Sequence, residues 1–165
     1  MGNRIASLAA AVMLLPLLLA CGSVCSPTAA PAASLRLACV DIKAAHHAYV
    51  VVQHMSGKWI EECVGFGPRF IDAPTLMDHA GIAYLPRTIN GIASACPIDG
   101  EPADGAACDS PGAPRWVLFV AAGGSWRLAS LAFPEVQLAD TTAIGWRYVG
   151  AGEQQPQPPP FPHEL

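Results

Sequence analysis

Apolar residues change rhythm along this chain. Residues 5–19 form one run without a charge, whereas beyond about residue 35 the apolar positions come in short bursts set off by Gly, Pro, Asn and Asp. The bursts read as strands. Residues 48–54 (AYVVVQH) are β-branched and apolar, Ser56-Gly57 is a turn signal, and Trp59–Phe66 (WIEECVGF) can return beside them as a hairpin partner. Over residues 71–80 the spacing becomes helical: Asp72 can cap, Pro74 suits the first turn, Leu76, Met77 and Ala80 share a face, and Gly81 stops the helix. Residues 82–89 and 92–98 predict two strands around Asn90-Gly91, a dipeptide that favours tight hairpins. Residues 99–114 (DGEPADGAACDSPGAP) read as a loop. Residues 115–120 then lead through Gly123-Gly124 into 125–128, a further hairpin, and 143–149 close the domain with Ile144, Trp146 and Tyr148 on one face. One short helix among hairpins predicts an α+β, β-rich domain with a mixed or antiparallel sheet. No internal repeat is visible.

The N-terminal run follows a single basic residue, Arg4, contains Pro16, and falls short of the roughly 20 apolar residues of a membrane span. It has the proportions of a signal peptide. Its end, Leu18-Leu19-Ala20-Cys21, resembles the lipobox of bacterial lipoproteins. That resemblance implies a signal peptide over 1–20, a lipid anchor on Cys21 as the mature N-terminus, and residence in the bacterial cell envelope. Gly22 and Ser23 stand where Asp would favour the inner membrane, which points to the outer membrane, facing the periplasm. Several acyl chains give durable attachment where one is marginal. Residues 21–34 read as a flexible tether of small residues and proline, and 151–165 as a disordered Pro-rich tail. The folded domain is expected over 35–150.

Removing the 20 leader residues from 165 leaves 145, enough for one domain with a real core. Without Arg4 the nine basic residues become eight against thirteen acidic, a net charge of −5 in place of −4. No basic cluster exists, which excludes nucleic acid as an expected partner. Six cysteines in an exported chain predict cross-links. With Cys21 lipidated, Cys39, Cys63, Cys96 and Cys108 are the disulfide candidates, in any of three pairings, and Cys25 in the tether is the leftover. There is no Cys-x-x-Cys pair, and the five histidines lack zinc-site spacing, so neither metal nor cofactor is expected. Catalytic chemistry is absent too. Ser94 and Ser125 are not in Gly-x-Ser-x-Gly elbows, and Glu61-Glu62 in a strand must point to opposite faces. His46-His47 reads as a solvated strand edge.

Several phrases, in order, carry a second resemblance: Cys63-Val64-Gly65-Phe66, Thr75-Leu76-Met77 with Ala80-Gly81-Ile82, and Ala95-Cys96-Pro97-Ile98-Asp99-Gly100. Trp116-Val117-Leu118-Phe119, Gly124-Ser125-Trp126 and Gly145-Trp146-Arg147-Tyr148 follow. The span 48–149 resembles the C-terminal β-grasp-like domain of transcobalamin and intrinsic factor. The resemblance implies a β-grasp-like fold and a module that covers one face of a corrinoid-like ligand. It also implies a Cys63–Cys96 disulfide, since the family carries cysteines in the same two phrases, with Cys39–Cys108 as the remaining pair. The family tends to have Asp-Gly-Asp before its last strand; Asp140-Thr141-Thr142 here predicts a different turn.

Trp116, Trp126, Trp146 and Tyr148 all fall in the last three predicted strands, and Arg115, Arg127 and Arg147 each adjoin a Trp. In strands each Arg then faces away from its Trp. With the Trps in the core, three guanidiniums would share the other sheet face and attract an anionic or planar ligand, or an acidic partner surface. The expected function is a membrane-anchored, non-enzymatic module binding a small anionic or planar ligand. The alternative is a structural or assembly lipoprotein contacting other envelope proteins.

Overall fold

Val50, Val51 and Val52 are wholly buried, which a strand achieves when both faces of its sheet are covered. They form the middle of β1 (His46–Gln53). In chain order β2 (Trp59–Phe66), β3 (Ile71–Asp72), helix α1 (Ala73–His79), β4 (Tyr84–Ile89), β5 (Ile92–Ile98), β6 (Arg115–Ala122), β7 (Ser125–Leu128), β8 (Gln137–Leu138) and β9 (Thr142–Val149) follow, with 3-10 turns at Gly105–Asp109 and Phe133–Glu135. The computed structural model describes residues 38–163 and Leu165, within one compact unit, Leu35–Leu165. Cys21, Cys25, the signal segment and the tether lie outside the described residues.

The main sheet has the order β2-β1-β9-β6-β7. β1 and β9 pair in parallel at its centre, and the remaining pairs are antiparallel. The sequence placed these strands and the helix closely; the two-residue strands β3 and β8, which pair with each other, were not anticipated. On one face, called inner here, Ala48, Val50, Val52, Ile144, Trp146 and Tyr148 meet Leu76 and Met77 of α1 and Phe133. Burying each such side chain contributes about 1.5–3 kcal/mol. Asp72 starts the helix by accepting from the Thr75 N–H at 2.8 Å and its hydroxyl at 2.9 Å, and the β4–β5 hairpin flanks the same core.

The outer face is covered by the C-terminal segment, a correction to the disordered tail expected over 151–165. Arg115 Nη2 donates to the Glu153 carbonyl at 2.8 Å and Arg147 Nη1 to the Gln157 carbonyl at 2.7 Å. Pro159 and Pro162 are buried. Proline content alone does not decide disorder; a receptive surface does.

The four expected cysteines are bonded, but as Cys39–Cys63 and Cys96–Cys108. This corrects Cys63–Cys96. Cys63 lies opposite Tyr49 and packs with it and Cys39 on the outer side, whereas Cys96 belongs to the inner core, so the sheet separates them. Cys39–Cys63 fixes the incoming chain along the free edge of β2, where the Val40 N–H donates to the Cys63 carbonyl and the Gly65 N–H to the Val40 carbonyl. Gly65 is required there because a Cβ would collide with the Asp41 carbonyl oxygen. The turn into β9 runs through Asp140-Thr141-Thr142. Thr141 takes a left-handed φ of 57°. The conformation is held by Thr141 N–H to the His47 carbonyl at 2.8 Å and His47 N–H to the Asp140 carboxylate at 2.8 Å.

Candidate functional site

Register decides which predicted site residues meet. Trp116 pairs with Tyr148 and Leu118 with Trp146, placing Trp116, Trp146 and Tyr148 together on the inner face. Trp126 pairs with Ala121 and packs on the outer side with Val117, Phe119 and Phe161. The arginines are likewise divided. Arg127 lies opposite Val120, on the inner register, while Arg115 and Arg147 belong to the outer one. The expected three-arginine face is therefore not formed. The two-residue turn pairs Ala122 with Ser125, so Arg115, seven residues before Ala122, and Arg127, two after Ser125, have opposite parity. Arg115 and Arg147 are engaged by the tail; Arg147 also meets the Glu153 carboxylate at 3.5 Å. The Arg127 side chain has no ion pair or hydrogen bond among the described residues.

The inner side carries a groove that the sequence did not reveal. Its middle, about 210 Å³, is walled by Trp116, Trp146 and Phe133 and edged by Ile92, Leu128 and Leu131. It shares Ala93, Ser94 and Phe133 with a hollow of about 280 Å³ reaching Tyr84, Arg87 and Pro74. It shares Leu128, Ala129 and Leu131 with one of about 330 Å³ reaching Arg127 and Gln137. Ile92, Leu128 and Leu131 are 61%, 58% and 55% exposed, so the groove is open along its rim. Its indole nitrogens are already bonded: Trp116 Nε1 donates to the Glu101 carbonyl at 2.7 Å and Trp146 Nε1 to Met77 Sδ at 3.1 Å. The aromatic walls are largely buried, Trp116, Phe133 and Trp146 at 8%, 3% and 1% exposure, so the apolar surface on offer is chiefly the aliphatic rim above them. Phe133 meets Trp146 and Tyr84 edge-on, at centroid distances of 5.2 and 5.4 Å, fixing the wall. Arg87 at one end meets the Asp109 carboxylate at 3.5 Å. Burial, reinforced by the charge on Asp78, raises the Tyr84 phenol above its ordinary range; burial and then the Glu101 charge do the same for Tyr148. Both stay uncharged at neutral pH.

Behind Trp116 sits a polar cluster that was also missed. Buried His54 meets the Glu101 carboxylate through Nδ1 at 2.7 Å and the Asp99 carboxylate through Nε2 at 3.0 Å, and Lys58 reaches Asp99 at 3.3 Å. The Met55 N–H also donates to Glu101. These bonds fasten residues 99–101 to the end of β1, which sets the carbonyl that Trp116 uses. Among the described residues no group of His, Cys, Asp and Glu is arranged to hold a metal ion. Another hollow, about 550 Å³, lies between residues 40–41, 65–72 and α1. Its Asp72 carboxylate is engaged in the helix cap.

Sequence signals for the groove existed in part. Leu128, Leu131 and Phe133 form an apolar cluster after a strand, but nothing in the sequence distinguishes its exposed leucines from its buried phenylalanine. Comparison with known protein families, curated proteins and solved structures gives no match.

Proposed function

We propose that this chain is a membrane-tethered, non-enzymatic binding module of the β-grasp type, whose inner groove lies against one face of a flat, largely apolar ligand. The observation that carries the reading is the continuity of the groove from Tyr84 through Phe133 and Trp146 to Arg127, with aromatic walls and an aliphatic rim. Pre-formed apolar clefts with few polar groups are the usual form of small-ligand sites. The parallel first and last strands at the centre of the sheet, with a helix across one face, support the β-grasp assignment. A corrinoid-like macrocycle is the ligand class implied by the resemblance to the transcobalamin domain, and Arg127 at the groove's end suits an anionic substituent. The anchor reading rests on Leu18-Leu19-Ala20-Cys21 and places the module at the cell envelope, on the periplasmic side of an outer membrane.

Two experiments test this. Replacing Cys21 with Ser should release the protein from membranes; an unmodified, uncleaved Cys21 in the membrane fraction by mass spectrometry would end the anchor reading. The neutral fluorophore N-phenyl-1-naphthylamine should bind the purified domain and raise its melting temperature by mass action, and Leu131→Asp should abolish both effects. Absence of binding, or binding indifferent to Leu131→Asp, refutes the groove as a ligand site. Crosslinking of the exposed Leu85, Ile92 and Leu131 to an envelope protein would then favour the assembly role.

A further inference from the structure

The outer face of the sheet is built to hold an extended chain. The C-terminal segment joins none of the sheets; side chains address its backbone instead. Arg115 and Arg147 donate to carbonyls four residues apart, at Glu153 and Gln157. Residues 153, 156, 159 and 162 are half-buried or buried, as is Phe161 beside Trp126, while 154, 155, 157, 158 and 160 are exposed. A three-residue period is that of a polyproline II helix showing one edge to a surface.

The surface has matching features. Gly145 leaves room for the ring of Pro159: a Cβ there would lie 2.6 Å from Pro159 Cγ and 2.8 Å from Trp126 Cη2. Phe161 meets Trp126 edge-on at 5.5 Å, and His163 stacks on Trp59 at 5.2 Å. The Glu61 carboxylate takes the His163 backbone N–H at 2.8 Å and its ring nitrogen at 2.7 Å. One feature is incomplete. Trp126 Nε1 is buried with no acceptor among the described residues, and a buried donor without a partner is costly. The tail therefore fits this surface without satisfying it.

We propose that the outer face is a recognition surface for proline-rich segments, held in cis by the protein's own tail and open to exchange with a segment of another polypeptide. The incoming segment would carry proline at every third position and offer a carbonyl to Trp126. Aromatic grooves read polyproline helices cheaply because the helix is ordered before it binds. The tail acts as a covalently supplied competitor, with an effective concentration on the order of millimolar. This surface is separate from the inner groove, and neither reading depends on the other.

The full chain tests it if a protease site is placed at residues 150–152 and cut only after folding and disulfide formation. The cut protein should exchange its tail for a fluorescein-labelled peptide of sequence 152–165, read by fluorescence anisotropy. Uncut protein should bind the same peptide at least about tenfold more weakly. Gly145→Val in the cut protein should weaken peptide binding by roughly tenfold or more, as should Arg115→Gln with Arg147→Gln. A peptide with its prolines moved off the three-residue spacing should not bind. Cut protein that retains its disulfides and native circular dichroism yet does not bind the peptide overturns the proposal. Equal binding of the rearranged peptide overturns it as well. A concentration-dependent dimer of the uncut chain, joined by exchanged tails, would overturn the foreign partner and give the surface to a second copy.

Discussion

Met77 ties the helix to the groove floor, and two substitutions there separate packing from hydrogen bonding. The side chain is fully buried and its sulfur accepts the indole N–H of Trp146, itself 1% exposed. Met77→Ala removes buried volume at a site enclosed by the helix and sheet, which costs about 2–5 kcal/mol, and strands the indole donor, which pushes the total toward the upper end. Met77→Leu keeps the volume, at a packing cost below about 1.5 kcal/mol, but removes the acceptor. Because thioether sulfur is a weak acceptor, the whole Leu effect should stay near 1–2 kcal/mol. For a domain of this size, each kcal/mol moves the melting point by about 3–5 °C. Met77→Ala should lower it by roughly 10–20 °C and Met77→Leu by roughly 4–8 °C. Urea unfolding followed by tryptophan emission, with the disulfides intact, gives both values if the slopes agree with that of the parent. A Met77→Leu protein indistinguishable from the parent would show that the sulfur contact contributes nothing. A Met77→Ala loss below about 1.5 kcal/mol would refute the claim that Met77 fills the core.

Thr141→Gly should stabilise by about 0.5–1 kcal/mol, because relieving a β-branched residue at positive φ outweighs glycine's greater chain entropy; a lower urea midpoint would refute the strain. Non-reducing proteolysis and mass spectrometry should recover Cys39–Cys63 and Cys96–Cys108 peptides, and Cys96→Ala with Cys108→Ala should cost about 3 kcal/mol from loop closure. Tyr84 and Tyr148 have raised folded values against 10.0 in the unfolded chain. Their contribution is therefore complete below pH 10 and lost as the pH climbs through the folded values. Urea midpoints should fall above pH 10, less steeply in Tyr84→Phe, and a flat profile would refute the burial argument. Arg127→Gln should weaken 1-anilinonaphthalene-8-sulfonate by roughly five- to tenfold while sparing the neutral N-phenyl-1-naphthylamine; equal loss of both would show that Arg127 does not read charge.

Elements were legible here because their punctuation is local. Asn90-Gly91 and Gly123-Gly124 adopt positive φ at the turns their sequences announce, and Asp72, Pro74 and Gly81 frame the helix they predict. Faces were less legible. Assigning Trp126 to the core with Trp116 and Trp146 required counting residues through the Gly123-Gly124 turn, and that count puts it on the other side. The cysteine pairing failed for the same reason, since a strand's Cys63 and an inner-layer Cys96 look alike until the side of the sheet is known. The groove and the tail's seat were beyond reach because each is assembled from distant positions. Trp59, Glu61, Trp126, Gly145 and Arg147 become a surface only after the sheet forms.

The central pairing joins the first main strand to the last, with Val50 beside Ile144, 94 positions away. No pair of neighbouring hairpins can substitute for it. β1–β2 can close early and β6–β7 later, but the two halves remain separate ribbons until β9 arrives between β1 and β6. Such high contact order slows folding and makes it a property of the finished chain. Any portion lacking residues 142–149 has no middle to its sheet, so a partial chain presents hairpins but no native domain. The same dependence leaves β1 and β6 with open edges until the end, the stage at which aggregation competes with folding.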